Sequence, residues 1–304
     1  MSRMIEKIGA TADVVGESPV WDEETGRLYW VDMVGKYVRR WTGATNVVET
    51  RSVADFPSAV GLCKSDPRLV LTVGSTFGTF DFEGGQFFPE HLLENDPIMR
   101  LNEGKCDPQG RFWCASMDSN LHEDGSMRQQ SARRGRLFRV APNKVEGPFA
   151  EGIGVPNTMA WSPSGDHFYL GDSSRNLIWV SAFDGQSSTL GRWEVFAEGG
   201  PGVPDGSAID CQGYLWNARF GAGCVIRFRP DGKVDRTLAL PAQNPTSCCF
   251  GGEALTTLFV TTAKFGARNP TKWDGAVLTY KAEIGGMIGT RYSLSFADRS
   301  SVID

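Results

Sequence analysis

The amino-acid sequence predicts an all-β fold, a six-bladed β-propeller of four-stranded antiparallel blades. Three observations carry that prediction. A short pattern recurs six times, at registers near residues 17, 58, 102, 157, 205 and 246. Each clear copy runs on into a Gly-containing turn and an aromatic pair or its equivalent, as in Tyr29-Trp30, Phe112-Trp113, Phe168-Tyr169, Leu215-Trp216 and Leu258-Phe259. Between copies, apolar and polar residues alternate in short runs, and no convincing stretch carries apolar residues at helical spacing. A unit of about 45 residues buries its apolar face only against its neighbours, so the 304 residues are expected to form one domain, 1–304. Stacking such units radially leaves only short, protected strand edges.

The elements follow in order. Residues 1–16 read as a lead-in strand from Ile5 to Val15, interrupted at Gly9. Unit one runs Pro19-Val20-Trp21, turns at Glu23 to Gly26, and returns as Leu28 to Asp32. Its third strand is Tyr37 to Trp41 and its fourth lies around Val47-Val48. Unit two repeats this with Leu69 to Val73 and Gly78 to Phe82, and unit three with Arg111 to Ala115 and Arg136 to Val140. Units four, five and six carry second strands at His167–Gly171, Tyr214–Ala218 and Thr257–Thr261. Asp184-Gly185 and Asp231-Gly232 read as type I′ hairpins joining third to fourth strands. Ring closure is expected between the lead-in strand near Ile5–Ile8 and a C-terminal strand around Tyr292–Phe296.

In a propeller the first strand of each blade lines the axis, so the starts of all six inner strands meet at one mouth. The loops joining second to third strands return to that face. Two of them are long and polar, Met117 through His122 to Gly135 and Ala263 to Gly275, and long loops over a rigid scaffold are where binding usually resides.

Composition narrows the partners. The formal net charge of −5 argues against nucleic acid or an anionic membrane surface. No apolar run approaches the ~20 residues needed to span a bilayer. The start, Met-Ser-Arg-Met-Ile-Glu-Lys-Ile, lacks the long apolar core of a signal peptide. Seven cysteines, an odd number without Cys-x-x-Cys spacing, read as buried reduced thiols, and a cytoplasmic location is expected. The oligomeric state stays open.

The mouth gathers Glu17, Asn102, Asn157 and Asp205, two carboxylates and two carboxamides at one position of four repeats. Asp205-Gly206 alone would be a turn, and Asn157 after Pro156 an Asx-turn, but four independent turns have no reason to share a register. An all-oxygen set with two negative charges suits Ca²⁺, Mg²⁺ or Mn²⁺ better than a structural zinc. Arg100 lies two residues before Asn102, on the same strand face, where it can meet a substrate oxygen or pair with Glu103 or Asp107. Asp32 and Asp172, at the ends of second strands, are either partners behind the site or strand-end turns. No Gly-x-Ser-x-Gly elbow, phosphate loop or dinucleotide fingerprint is present.

These residues carry a resemblance. Gly16-Glu17-Ser18-Pro19-Val20-Trp21, Arg100-x-Asn102-Glu103-Gly104 with Asp107-x-x-Gly110-Arg111-Phe112-Trp113, Pro156-Asn157-Thr158-Met159-Ala160-Trp161, and Pro204-Asp205-Gly206 are similar to the regucalcin/gluconolactonase family over nearly the whole chain. The resemblance implies a six-bladed propeller, hydrolysis of sugar lactones, and a divalent metal held by Glu17, Asn157 and Asp205. The expected ion is Ca²⁺ first, with Zn²⁺, Mn²⁺ and Mg²⁺ as alternatives. Arg100 and Asn102 match substrate-binding positions, and Glu103 and Met117 complete the expected substrate set. Glu103 departs from the family, which commonly has Asp there. Asp205 is the expected catalytic residue, activating the attacking water. A phosphotriester hydrolase on the same site, or a non-catalytic calcium- or sugar-binding propeller, are the alternatives. The substrate expected is a small-molecule sugar lactone, and no organic cofactor is needed.

Overall fold

The computed structural model describes residues 5–294. Six four-stranded antiparallel sheets follow one another around an axis. Blade 1 comprises β2 (Gly16–Asp22), β3 (Arg27–Asp32), β4 (Tyr37–Thr42) and β5 (Val47–Ser52); blade 2 comprises β6 (Pro57–Leu62), β7 (Leu69–Val73), β8 (Thr76–Asp81) and β9 (Gln86–Leu92). Blade 3 holds β10 (Met99–Cys106), β11 (Phe112–Asp118), β12 (Gly135–Ala141) and β13 (Lys144–Ile153). Blade 4 holds β14 (Pro156–Trp161), β15 (His167–Asp172), β16 (Leu177–Asp184) and β17 (Thr189–Glu198). Blade 5 holds β18 (Val203–Ile209), β19 (Leu215–Phe220), β20 (Cys224–Phe228) and β21 (Val234–Ala239). Blade 6 is built from both ends of the chain: β22 (Pro245–Gly251), β23 (Thr257–Thr262), β24 (Val277–Lys281) and, outermost, β1 (Glu6–Ile8).

Ring closure therefore uses the expected lead-in strand with a different partner. Glu6, Lys7 and Ile8 pair with Thr279, Leu278 and Val277 rather than with residues around Tyr292, because a third strand must first be in place before a fourth can be added. Ser295 and Phe296 lie outside the described residues. Tyr292 makes an isolated parallel bridge to Cys63 of blade 2 instead.

Burial follows the blade radially. Every residue of β6 and β14 is buried, whereas the outer strands β17 and β21 alternate between half-buried and exposed. A flat blade has two faces to cover, and the core is accordingly divided among the blade-to-blade interfaces. One apolar cluster lies between blades 1 and 2, and others between 2 and 3, 3 and 4, 4 and 5, 5 and 6, and 6 and 1. Between blades 3 and 4, fully buried Trp113 packs at 5.6 Å from Phe168, which in turn stacks on Trp161 at 4.6 Å.

The recurring Gly-containing turns have a common chemistry. Asp107 accepts hydrogen bonds from the Gln109 and Arg111 amides and, through its other oxygen, from the Trp113 indole at 2.9 Å. Asp210 does the same for Gln212, Tyr214 and Trp216 in blade 5. Gly110 holds φ +82° at the crest, a conformation that needs glycine. One aspartate thus satisfies the turn amides and fixes the buried tryptophan of the following strand.

The two Asp-Gly signals do join third to fourth strands, but not as type I′ turns. That turn needs positive φ at both central residues. Gly232 has φ +79° while Asp231 stays at negative φ, and after Gly185 the left-handed residue is Ser188. The carboxylates act as turn acceptors instead, Asp231 for the Lys233 amide and Asp184 for the Gln186 amide.

A terminal segment completes the molecule on the face opposite the inner-strand starts. Residues 282–293 run from blade 6 across the lower end of the axis. Ala282 donates to Thr256, Cys211 to Gly285, Met287 to Ile209, Tyr292 to Leu62 and Ser293 to Gly110. Arg291 pairs with Asp22 at 2.7 Å. Blades 6, 5, 1, 2 and 3 are all tied by this one strap.

Candidate active site

Each inner strand is irregular at the same place. Register shifts fall between Glu17 and Val20, Pro57 and Ala59, Leu101 and Glu103, Asn157 and Ala160, Pro204 and Ser207, and Pro245 and Ser247. A bulge leaves backbone groups without ladder partners and re-aims side chains. Ser18 and Thr158 take up left-handed φ of 51° and 56° within two of these bulges. The freed groups are used to join blades. Thr158 Oγ1 donates to the Asp205 carbonyl at 2.5 Å, the Val60 amide donates to Ser18 Oγ at 2.9 Å, and Thr246 Oγ1 donates to the Gly16 carbonyl at 2.5 Å. The repeated sequence pattern is thus the signature of a ring of bulged strands stapled to one another around the channel.

The expected residues sit on this ring. A hydrogen-bonded path runs through blades 3, 4 and 5. Arg100 Nη1 donates to Asn102 Oδ1 (2.7 Å), Asn102 Nδ2 to the Pro156 carbonyl (2.8 Å) and to Asn157 Oδ1 (3.3 Å), and Asn157 Nδ2 to Ser173 Oγ (2.8 Å). Ser173 Oγ then donates to the Pro204 carbonyl (2.6 Å), the residue before Asp205. Arg100 pairs with neither Glu103 nor Asp107; its other guanidinium nitrogen reaches Asn120 of the upper loop at 3.0 Å. Arg100 is buried and its Nε has no partner. Met117 is fully buried and stands opposite Arg100 in the β10–β11 register.

Three carboxylates, Glu17, Glu103 and Asp205, feel one another's charge. Burial, then the charge of Glu103, pushes Glu17 up to about 8, against opposing pulls from the Ser18 amide, Arg100 and Lys105. Burial, then Glu17 and Glu103, holds Asp205 well above the usual carboxylate range, with only the Gly206 amide opposing. Burial also raises Glu103, against Lys105 and the Gly104 and Thr158 amides. Arg100 is lowered to about 10 by burial, against the charges of Glu17 and Asp55. Among the described residues none of these three carboxylates forms an ion pair, in contrast to buried Asp210, which holds Arg227 at 2.7 Å.

Glu103 and Asp205 are buried and Glu17 half-buried; carboxylates so withdrawn from water without a counter-ion are costly, and a divalent cation held by Glu17 and Asp205 would relieve that cost. Among the described residues no three His, Cys, Asp or Glu side chains form a metal-holding group on their own. An ion here therefore needs a neutral oxygen as third donor. Asn157 can supply it: its Nδ2 is engaged by Ser173, and its Oδ1 accepts one long bond, 3.3 Å from Asn102 Nδ2, which leaves a lone pair.

Both long loops reach the mouth face. Leu121 of the 119–134 loop and Ala263 and Phe265 of the 263–276 loop join Val15, Met33 and Phe56 in one apolar cluster just ahead of the inner strands. Asp118 anchors the first loop. Its carboxylate accepts from the Ser131 amide (2.6 Å), Ser131 Oγ (2.5 Å) and the Ala132 amide (3.2 Å). Asp32 and Asp172 prove to be strand-end anchors: Asp172 accepts from the Gly154 and Val155 amides and Asp32 from those of Val14 and Val15, fixing the entry to β14 and β2.

Residues 15–264 match the family model described as the SMP-30/gluconolactonase/LRE-like region. The chain belongs to that family. Regucalcin from Xenopus laevis is 34% identical to this SMP-30/gluconolactonase-family chain over 264 residues, 85% of this chain and 86% of that protein. A 6-deoxy-6-sulfogluconolactonase from Pseudomonas putida is 30% identical, covering 87% and 88%. Among solved structures, a regucalcin from Agrobacterium tumefaciens described as a calcium-binding protein superposes with a TM-score of 0.87, over 95% of this chain and 97% of that one, at 24% identity.

Three residues of this family member escaped sequence reasoning. Ser173 links Asn157 to the Asp205 strand; Asn217, fully buried, donates to the Asp205 carbonyl at 2.8 Å and to Ser207 Oγ at 2.9 Å; and Lys105 enters the channel. Ser173 and Asn217 lie outside the repeated pattern, so no signal marks them. Lys105 had one: beyond the bulge, Glu103 and Lys105 are two residues apart on one strand face.

Proposed function

We propose that this chain is a lactonase that hydrolyses a sugar lactone, an aldonolactone or close relative, to the open sugar acid at the axial mouth, with a divalent ion held by Glu17, Asn157 and Asp205. The observation that carries the reading is the convergence of half-buried Glu17 with buried Asp205 and Glu103, none of them ion-paired among the described residues, in a family with named sugar lactonases among its members. Calcium is the first candidate because the donor set is all oxygen, with two carboxylates and no His or Cys; Mn²⁺, Mg²⁺ and Zn²⁺ are the alternatives. When bound, the ion supplies Lewis-acid polarisation of the lactone carbonyl. Asp205 takes the proton of the attacking water, because among the three residues that would hold the ion it is, with Glu17, one of the two carboxylates, and the Asn157 carboxamide accepts no proton. The water oxygen bonds to the carbonyl carbon, the ring C–O bond breaks as the adduct collapses, the proton held by Asp205 passes to the leaving ring oxygen as the new hydroxyl, and the carboxylic acid formed releases the second water proton to solvent. Asn102 presents a carboxamide to the ring hydroxyls. Arg100 orients Asn102, Met117 backs Arg100 across the strand pair, and Glu103 bounds the substrate from below. We take the catalytic unit to be the whole propeller, 1–304, and the odd cysteine count without Cys-x-x-Cys spacing supports a cytoplasmic location; no helix among the described residues is long and apolar enough to cross a membrane.

The test is proton release from a panel of γ- and δ-aldonolactones in a pH-stat, with chelator and with each ion restored. Ion-dependent turnover is expected. Turnover of a phosphotriester in preference to every lactone would overturn the substrate class, and ion binding without any hydrolysis would leave a binding protein.

A further inference from the structure

Lys105 occupies an unusual place. Its ammonium donates to the Ser207 carbonyl at 2.7 Å, from β10 of blade 3 to β18 of blade 5. Every other side-chain bond between blades among the described residues joins neighbours, as Thr158 joins blade 4 to blade 5 and Thr246 joins blade 6 to blade 1. Among the described residues Lys105 alone skips a blade, reaching past blade 4 along the channel wall. It lies with Glu103, Ser18, Ser247 and Cys248 on the wall of an axial cavity of about 200 Å³, whose lower end is bounded by Met287 to Thr290 of the strap. The acceptor is informative. Ser207 is the first residue to regain register after the Asp205 bulge, so its carbonyl defines where the bulge ends. On the lysine side, Glu103 is the first residue to regain register after the bulge at Leu101.

We propose, resting on the site reading above, that Lys105 is a positioning residue: it braces the Asp205 strand against the Asn102–Glu103 strand past blade 4 and so sets the width of the site between ion ligands and substrate groups. The residue type follows from the task. A shorter donor does not reach past blade 4, and a flexible four-carbon stem with three donors at its tip does. A cation is tolerated there because Glu17 and Glu103 lie within range of its charge.

The experiment is calorimetric titration of the purified protein with Ca²⁺ and Mn²⁺, alongside thermal unfolding in chelator and kcat and KM for the best lactone. Lys105→Met keeps the unbranched stem as far as Cε and removes the donor. Its affinity for the ion is expected to fall at least fivefold and kcat/KM at least tenfold, with Lys105→Arg recovering half or more of each loss on a logarithmic scale. If Lys105→Met binds the ion and turns over as the parent does, the proposal is overturned. Should that variant fail to fold, Lys105→Gln, too short to reach Ser207, is compared with Lys105→Arg. Equal ion affinities in those two overturn the brace; tighter binding by the Arg variant supports it. A parent protein that binds neither ion defeats the site reading itself, and the Lys105 proposal with it, before any variant is compared.

Discussion

At the scale of single residues, Asp205 is where ligand and base roles must be separated. Asp205→Asn keeps the side-chain size and one ligating oxygen but removes a charge and the proton acceptor. A base role predicts that the rate at saturating ion stays down by 10²–10⁴-fold. Asn157→Ala, in contrast, is expected to weaken ion binding and recover most of its rate when the ion is raised, because a carboxamide takes no proton. The measurement is rate against ion concentration for both variants; full rescue of Asp205→Asn by excess ion would take the base role away from it. The place of Glu17, Asn102, Asn157 and Asp205 on the ring of inner strands was legible because one repeat position carried polar residues four times. Asn217 and Ser173 were not, since each acts through a partner that only folding brings near. Asn217 lies twelve residues from Asp205, and Ser173 thirty-one from Pro204.

At the scale of elements, the loop of residues 119–134 hangs on Asp118. That fully buried carboxylate gathers three hydrogen bonds from residues 131 and 132 and the Arg128 guanidinium at 3.3 Å. Asp118→Ala leaves those donors without their acceptor, a cost of about 1–3 kcal/mol for each buried one. The expected outcome is a loop that opens locally: protease cleavage between Leu121 and Arg134 speeds up and KM rises, while kcat falls less. Unchanged cleavage and KM would show that the loop is held elsewhere, for instance by Leu121 in the mouth cluster. Strands and the two long loops were readable from alternation and polar length. The bulges were not, since no residue type demands one; Ser18 and Thr158 adopt left-handed backbone in spite of their side chains. The Asp-Gly pairs misled for a related reason, as the same dipeptide serves equally well as an amide acceptor followed by one left-handed glycine.

At the scale of the whole molecule, closure is concentrated at Asp13, between β1 and β2. Its amide donates to Gly275, its carbonyl accepts from Lys264, and its carboxylate accepts from the Trp30 indole at 2.8 Å. Arg39 lies 2.6 Å away but is poorly aligned for a hydrogen bond. Burial outweighs the Arg39 charge, and Asp13 rises from the ordinary 3.8 to about 7. The folded protein therefore keeps a proton that the unfolded chain has already released between those values. This group's contribution to stability is complete below about pH 4 and declines as pH rises to about 7. Denaturant unfolding of the parent and of Asp13→Asn across that range is expected to give a difference that shrinks the parent's advantage as pH rises; a constant difference would count against the raised proton affinity. The six-fold architecture was legible because each unit repeats the same pattern. The partner of β1 was not, because a repeat specifies what neighbours look like and leaves the seam to the chain ends.

The seam has a consequence in time. β1 is made first and β24 nearly last, so during synthesis the outer strand of blade 6 waits through some 270 residues for its partner. Five blades can stack as they emerge, but the apolar surface of blade 1 that Phe259 and Val277 later cover stays open until the end. Contacts so distant in sequence form slowly because the loop between them must first be closed. A nascent chain of this protein is therefore an open arc with one sticky rim, and its exposure to wrong partners lasts as long as the ribosome takes to reach the final strands.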